Sequence, residues 1–170
     1  IEIEDIAHGL ARVARWNGQT KGLHAFSVAQ HSLLVEDIFC VLVPSASHEA
    51  RLAALLHDAP EYVVGDMISP FKAVIGGDYK VVEARLLAAI HKRFSLPTPL
   101  AAALTTAIKD ADHLAAYHEA VTLAGFKKED ALTIFGAPAY DVSFKNELLT
   151  PMSSANAKAA FLQRLAGLKG

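Results

Sequence analysis

Residues 27–44 read Ser27-Val28-Ala29-Gln30-His31-Ser32-Leu33-Leu34-Val35-Glu36-Asp37-Ile38-Phe39-Cys40-Val41-Leu42-Val43-Pro44, and this stretch decides the fold class. Ser27 with Gln30 three residues later forms a capping box, Phe26 precedes it, and Pro44 stops the run. Between these signals Val28, His31, Val35 and Ile38 recur at the period of a helix with one buried face. A β-strand would alternate apolar and polar residues, and no segment of the chain does so strongly.

The same reading extends outward. A helix is expected from Ile3 to Arg15, followed by the polar stretch Asn17 to Gly22. Ser47 caps a third helix that carries Leu52, Leu55 and Leu56 towards His57-Asp58, and Pro60 should kink or restart it. A turn at Gly65-Asp66 leads to a cap at Ser69-Pro70, and Gly76-Gly77 breaks the chain again. Further helices are predicted from Asp78 to Phe94, from Thr98-Pro99 to near Gly125, from Lys127 to Phe135, and from Pro151 onward. Residues 136–150 read as irregular, with short extended pieces around Tyr140 to Phe144. The expectation is one all-α domain over residues 1–170, a bundle of six to eight helices.

Composition narrows the classes of function. The chain is 52% hydrophobic and 20% charged, which excludes a disordered or collagen-like polypeptide. The longest apolar run, Ile38 to Val43, is far short of the ~18 residues a membrane span needs. A net charge of −2 gives no case for a nucleic acid polymer as partner. Cys40 is the only cysteine, so no internal disulfide forms; it reads as a small buried hydrophobe in a cytoplasmic protein. Because the chain opens on Ile1 rather than Met, residues upstream are expected.

Function is carried by polar groups placed where a core should be. His31 shares the apolar stripe of the second helix. In the long later helix Leu104, Ile108, Asp112 and Ala115 form another stripe with a carboxylate in it. Glu61 lies one turn beyond His57 and Asp58 on their side. Alone, His31 reads as a hydrogen-bonded core histidine, and Asp112 could equally pair with a Lys or Arg. Burying Asp58 and Asp112 without partners costs several kcal/mol, and one divalent ion shared by His31, His57, Asp58 and Asp112 answers for all four residues. Two imidazoles with two carboxylates suit Mn, Fe, Co, Ni or Zn better than Mg or Ca. The remaining histidines lack such partners. His91 is expected on a solvated face beside Lys92 and Arg93, and His113 and His118 are expected to point away from Asp112.

His31, then His57-Asp58, then Asp112, in this order on separate helices, resembles the H…HD…D signature of the HD-domain superfamily of phosphohydrolases. The wider contexts Leu55 to Glu61 with Gly65-Asp66, Arg15-Trp16, Ser27 to Ser32 and Ala111 to Tyr117 are similar to the bacterial 5′-deoxynucleotidase (YfbR-like) branch. The likeness runs from about Ile6 to Leu123. It implies a phosphomonoesterase that takes (deoxy)ribonucleoside 5′-monophosphates to nucleoside and phosphate. It also implies His31, His57, Asp58 and Asp112 as ligands to one divalent ion, with Mn or Co favoured. Glu61 matches the catalytic carboxylate, Arg15 the phosphate-binding arginine, Trp16 the sugar-facing aromatic and Asp66 the contact to the sugar hydroxyl. Lys72 is a weaker phosphate candidate and reads better as solvated. A homodimer is a further expectation, from the wide apolar helix faces. The alternatives are another small phosphate ester or a nucleotide polyphosphate as substrate, or a non-catalytic HD-like signalling or ligand-binding module. A substrate panel separates the first two, and loss of metal ligands, not seen here, would mark the third.

Overall fold

The computed structural model of the chain describes residues 1–68, 71, 74–75, 77–136 and 146–169. Over these residues the protein is all-α. Eight α-helices run α1 Ile3–Leu10, α2 Val28–Leu42, α3 His48–Leu55, α4 Glu61–Val64, α5 Gly77–Arg93, α6 Ala102–Thr122, α7 Lys128–Phe135 and α8 Ser154–Lys169. Short 3₁₀ turns lie at Arg15–Gly18 and Asn146–Leu149. No strand occurs among the described residues, only an isolated antiparallel bridge between Ala14 and Ser27. None of the described helices is long and apolar enough to cross a membrane. The sites at Ser69-Pro70, Lys72, Gly76 and Tyr140 to Phe144 lie outside the described residues.

Helix α2 is the centre of the bundle. It packs against α6, α3 and α8, while α1 packs on α4 and α8. Its side chains Val28, Leu33, Leu34, Val35, Ile38 and Phe39 are buried, and Phe161 of α8 meets the same core. Such burial is the main source of stability, about 1.5–3 kcal/mol for each large apolar side chain. The Ser27 cap is present, with its Oγ accepting from the Gln30 backbone N–H at 3.3 Å. The reciprocal half of the capping box is not. Gln30 instead donates its side-chain amide to the carbonyls of Leu148 (2.9 Å) and Thr150 (2.6 Å), and its oxygen accepts from Met152 N–H (2.9 Å). The amide therefore ties α2 to the approach of α8.

Three helix boundaries away from His57-Asp58 differ from expectation. Helix α1 ends at Leu10 rather than Arg15 because tertiary pairing takes the next backbone groups: Val28 N–H donates to Val13 O (3.0 Å) and Arg15 N–H to Phe26 O (2.8 Å). Helix α6 starts at Ala102, since Ala101 is still extended (φ −58°, ψ 140°) beyond the Thr98-Pro99 pair. Helix α8 starts at Ser154, where Ser153 Oγ accepts from Asn156 N–H (3.2 Å); Ser153 is the cap, not Pro151. Cys40 is partly exposed rather than buried, and its S–H donates to Glu36 at 3.2 Å. Its environment, partial burial first and the Glu36 carboxylate second, pushes the thiol up to about 12.

A close approach sets the position of α4. A Cβ on Gly9 of α1 would lie 2.8 Å from Tyr62 Cβ, closer than real contacts allow, and 3.2 Å from the Tyr62 carbonyl oxygen, a tight contact. Gly9→Ala is therefore expected to push α4 away from α1. Overpacking of this kind costs about 1–3 kcal/mol, partly offset by the ~1 kcal/mol helix advantage of Ala over Gly. Thermal unfolding should show a fall in Tm of a few degrees; a raised Tm would mean that α4 yields without cost.

Candidate metal centre and cleft

The chain leaves α3 at Leu55, so His57 and Asp58 sit in the turn before α4 rather than on a helix. Pro60 then lies at the N-terminal edge of α4, with Glu61 as its first residue. This turn, α2 and α6 bring His31, His57, Asp58 and Asp112 together. One ligand atom from each lies within 4.8 Å of all the others. His31 Nε2 stands 3.4 Å from Asp58 Oδ2 and 3.2 Å from Asp112 Oδ1; His57 Nε2 stands 3.2 Å and 3.9 Å from the same oxygens. Bonds of about 2.0–2.2 Å to a common ion would place neighbouring donors roughly 3–4 Å apart.

The two imidazoles are oriented to offer lone pairs once neutral. His57 Nδ1–H donates to Ala54 O at 2.9 Å, and His31 Nδ1–H to Glu119 Oε1 at 2.5 Å. In the neutral form of each ring that makes Nε2 the acceptor, and both Nε2 atoms are buried without a hydrogen-bond partner. Two buried ring nitrogens of this kind, aimed at two carboxylates, fit a divalent ion.

Charge is concentrated here. Burial works against the charged form of His31, as does Arg15, but Glu119, Asp112 and Asp58 outweigh both and hold its pKa well above the ordinary histidine range. Burial would raise the Asp58 carboxyl, yet the neighbouring His57 and His31 hold it well below the usual carboxylate range. Asp112 is lowered in the same way, burial again opposing, chiefly by His31. Asp58 remains about a quarter exposed (24%) and Asp112 a third (33%), because both also border open space.

That space is a cleft of about 580 Å³, bordered by Arg15, Trp16, Asp58, Glu61, Asp66 and Asp112 together with Met67, Ile68, Phe126 and Phe135. Asp58 and Asp112 thus belong to both the cluster and the cleft, while the histidines stand behind them. Trp16 reaches the cleft from a left-handed backbone (φ 57°, ψ 31°), and the next residue, Asn17, has the same conformation (φ 50°, ψ 30°). Such conformations cost about 1–3 kcal/mol each in non-glycine residues and collect at functional sites. The Ala14–Ser27 bridge holds this loop in place. The indole packs edge-on against Phe126 and Phe135, with centroids 5.5 and 5.9 Å away.

Each of the candidate residues Arg15, Trp16, His31, His57, Asp58, Glu61, Asp66 and Asp112 therefore falls in the cluster or on the cleft. Two histidines are placed differently from expectation. His113 borders the cleft rather than pointing away. His91 is buried rather than solvated, and burial pushes its pKa below the usual histidine value. The residue that sequence reading missed is Glu119. It is fully buried, and besides His31 it accepts from Arg15 Nε and Trp16 Nε1, both at 2.9 Å. The signal was present, since Glu119 continues the stripe Ile108, Asp112, Ala115 by one more step of four. Burial opposes its ionisation, but Arg15 and His31 keep its pKa below normal.

Comparison with family profiles found no match. An uncharacterized protein of Rhodobacter capsulatus is 59% identical over 138 residues, covering 81% of this chain and 70% of the relative. The chain belongs to that protein's family. Likeness at this level shows common descent for the Rhodobacter capsulatus protein and this chain.

Proposed function

We propose that the protein is a metal-dependent phosphohydrolase acting on nucleoside 5′-monophosphates. The observation that carries this reading is the pair of unpartnered Nε2 atoms facing Asp58 and Asp112 at the inner end of a cleft that also holds Arg15 and Glu61. His31, His57, Asp58 and Asp112 would hold the ion, which supplies Lewis acidity, lowering the pKa of a water and polarising a phosphoryl oxygen. Glu61, buried on the cleft wall, is placed to take the proton of the attacking water. Arg15 keeps its terminal nitrogens for phosphate, because its Nε is committed to Glu119; Nη1 lies 3.9 Å from Asp58. Trp16, Phe126 and Phe135 form an aromatic wall suited to a nucleoside, and Asp66 can accept a hydrogen bond from a sugar hydroxyl.

Electrostatics supports the metal. Arg15 faces Asp58, Glu61, Asp66 and Asp112 around the cleft, so a phosphate dianion meets net negative charge until a divalent cation is added. Phosphate binding is therefore expected to depend on metal. Metal uptake should in turn strengthen as pH rises, because the ion competes with the His31 proton that neighbouring carboxylates retain. Metal content after equilibrium dialysis at several pH values checks the sign.

Activity is tested on chelator-stripped protein resupplied with Mn or Co. Phosphate release from dAMP, dGMP, dCMP, dTMP and the ribonucleotides is expected, and chelator should abolish it. Metal-loaded protein that releases phosphate from none of these monophosphates would overturn the proposal.

A further inference from the structure

Glu119 lies at the junction of the metal cluster and the cleft wall, and its contacts divide between them. Oε1 accepts from His31 Nδ1 at 2.5 Å, while Oε2 accepts from both Arg15 Nε and Trp16 Nε1 at 2.9 Å. The donors come from α2 and from the Arg15–Gly18 turn, and Glu119 itself from α6. All three groups present N–H, so the residue between them must accept on both sides, which an ionised carboxylate does and an amide cannot.

We propose that Glu119 is a positioning residue that fixes His31 with Nε2 towards the ion and, through its second oxygen, aims Arg15 and Trp16 at the substrate. The inference rests on the reading of His31 as a metal ligand. A neutral imidazole carries one proton; Glu119 holds it on Nδ1, so the lone pair falls on the nitrogen 3.2 Å from Asp112 and 3.4 Å from Asp58. On the other side, Glu119 spends Arg15 Nε and leaves the outer nitrogens to turn into the cleft. It also pins the indole by its N–H, so that the ring edge meets Phe126 and Phe135. One carboxylate thereby sets the metal ligand, the phosphate cation and the aromatic wall in register.

The test is Glu119→Gln. Its amide must turn N–H towards N–H on one side, facing either His31 or the Arg15 and Trp16 pair. Mn titration of stripped protein is expected to show affinity weakened roughly 10–100-fold, the usual effect of losing such a partner, if the amide group faces His31. If it faces the other way, inorganic phosphate should bind the Mn-loaded variant more weakly. The indole N–H resonance of the sole tryptophan should then also shift and exchange faster. A purely structural role would lower Tm and leave all three readouts unchanged in the folded protein, and that result overturns the proposal.

Should the variant not fold, nitrogen-15 spectra of Zn-loaded wild-type protein decide. The His31 proton is expected on Nδ1, and a proton on Nε2 overturns the inference. None of these measurements needs turnover. Wild-type protein that binds Mn but hydrolyses no monophosphate would defeat the phosphohydrolase reading and leave the Glu119 test standing.

Discussion

Replacing Asp58 by Ala is expected to leave the protein without a bound ion after dialysis and to reduce phosphate release to background. Asp58 Oδ2 stands 3.4 Å from His31 Nε2 and 3.2 Å from His57 Nε2, whereas Asp112 Oδ1 stands 3.2 Å and 3.9 Å from them. Removing it takes away a negative ligand and leaves two neutral nitrogens with Asp112 alone. The effect on the metal-free protein has a defined pH sign. The Asp58 carboxyl is held well below its ordinary value, so its contribution to stability is present above the unfolded carboxylate pKa and is lost as pH falls through the folded one. Denaturant unfolding of stripped wild-type and variant proteins should therefore differ at neutral pH and converge in acid. A variant that keeps a full complement of metal would remove Asp58 from the ligand set.

Glu61→Gln should behave in the opposite way, keeping the ion and losing the reaction. Glu61 is buried on the cleft wall but lies outside the ligand cluster. Gln has nearly the same size and cannot take a proton from water. General-base contributions are typically about 10²–10⁴-fold, and kcat should fall by that order with metal content and Tm close to wild type. Activity within about twofold of wild type would sink the role assigned to Glu61.

How far the sequence could be read followed from how local each signal was. Helix α2 was legible because its cap, its stripe and its stop all lie within residues 27–44. The overreading of α1 came from distance: the groups that end it belong to Phe26 and Val28, and pairing across a loop overrode local propensity. His57-Asp58 was legible as chemistry but not as a turn, because Leu52, Leu55 and Leu56 continue the helical pattern up to it. The metal ligands stood out as polar residues on apolar stripes, and Glu119 satisfied the same rule. It was missed because its partners, Arg15 and Trp16, come from the far end of the chain. Phe126 and Phe135 gave no signal as cleft residues, since the folding-back of α7 beyond Gly125 puts them there.

The bond from Arg15 to Glu119 joins positions 104 apart, and that from His31 to Glu119 positions 88 apart. Closing such loops costs entropy before any contact repays it, so the site should complete late, after α2 and α6 have docked. A partly folded chain would then carry its motifs and yet lack the site, and a fragment ending before α6 would keep His31, His57 and Asp58 but lose Asp112 and Glu119. Occupancy of the site thus becomes a report on folding of the whole chain. By mass action, any ligand bound there protects the entire fold, by about 2.7 kcal/mol at a concentration 100 times its Kd.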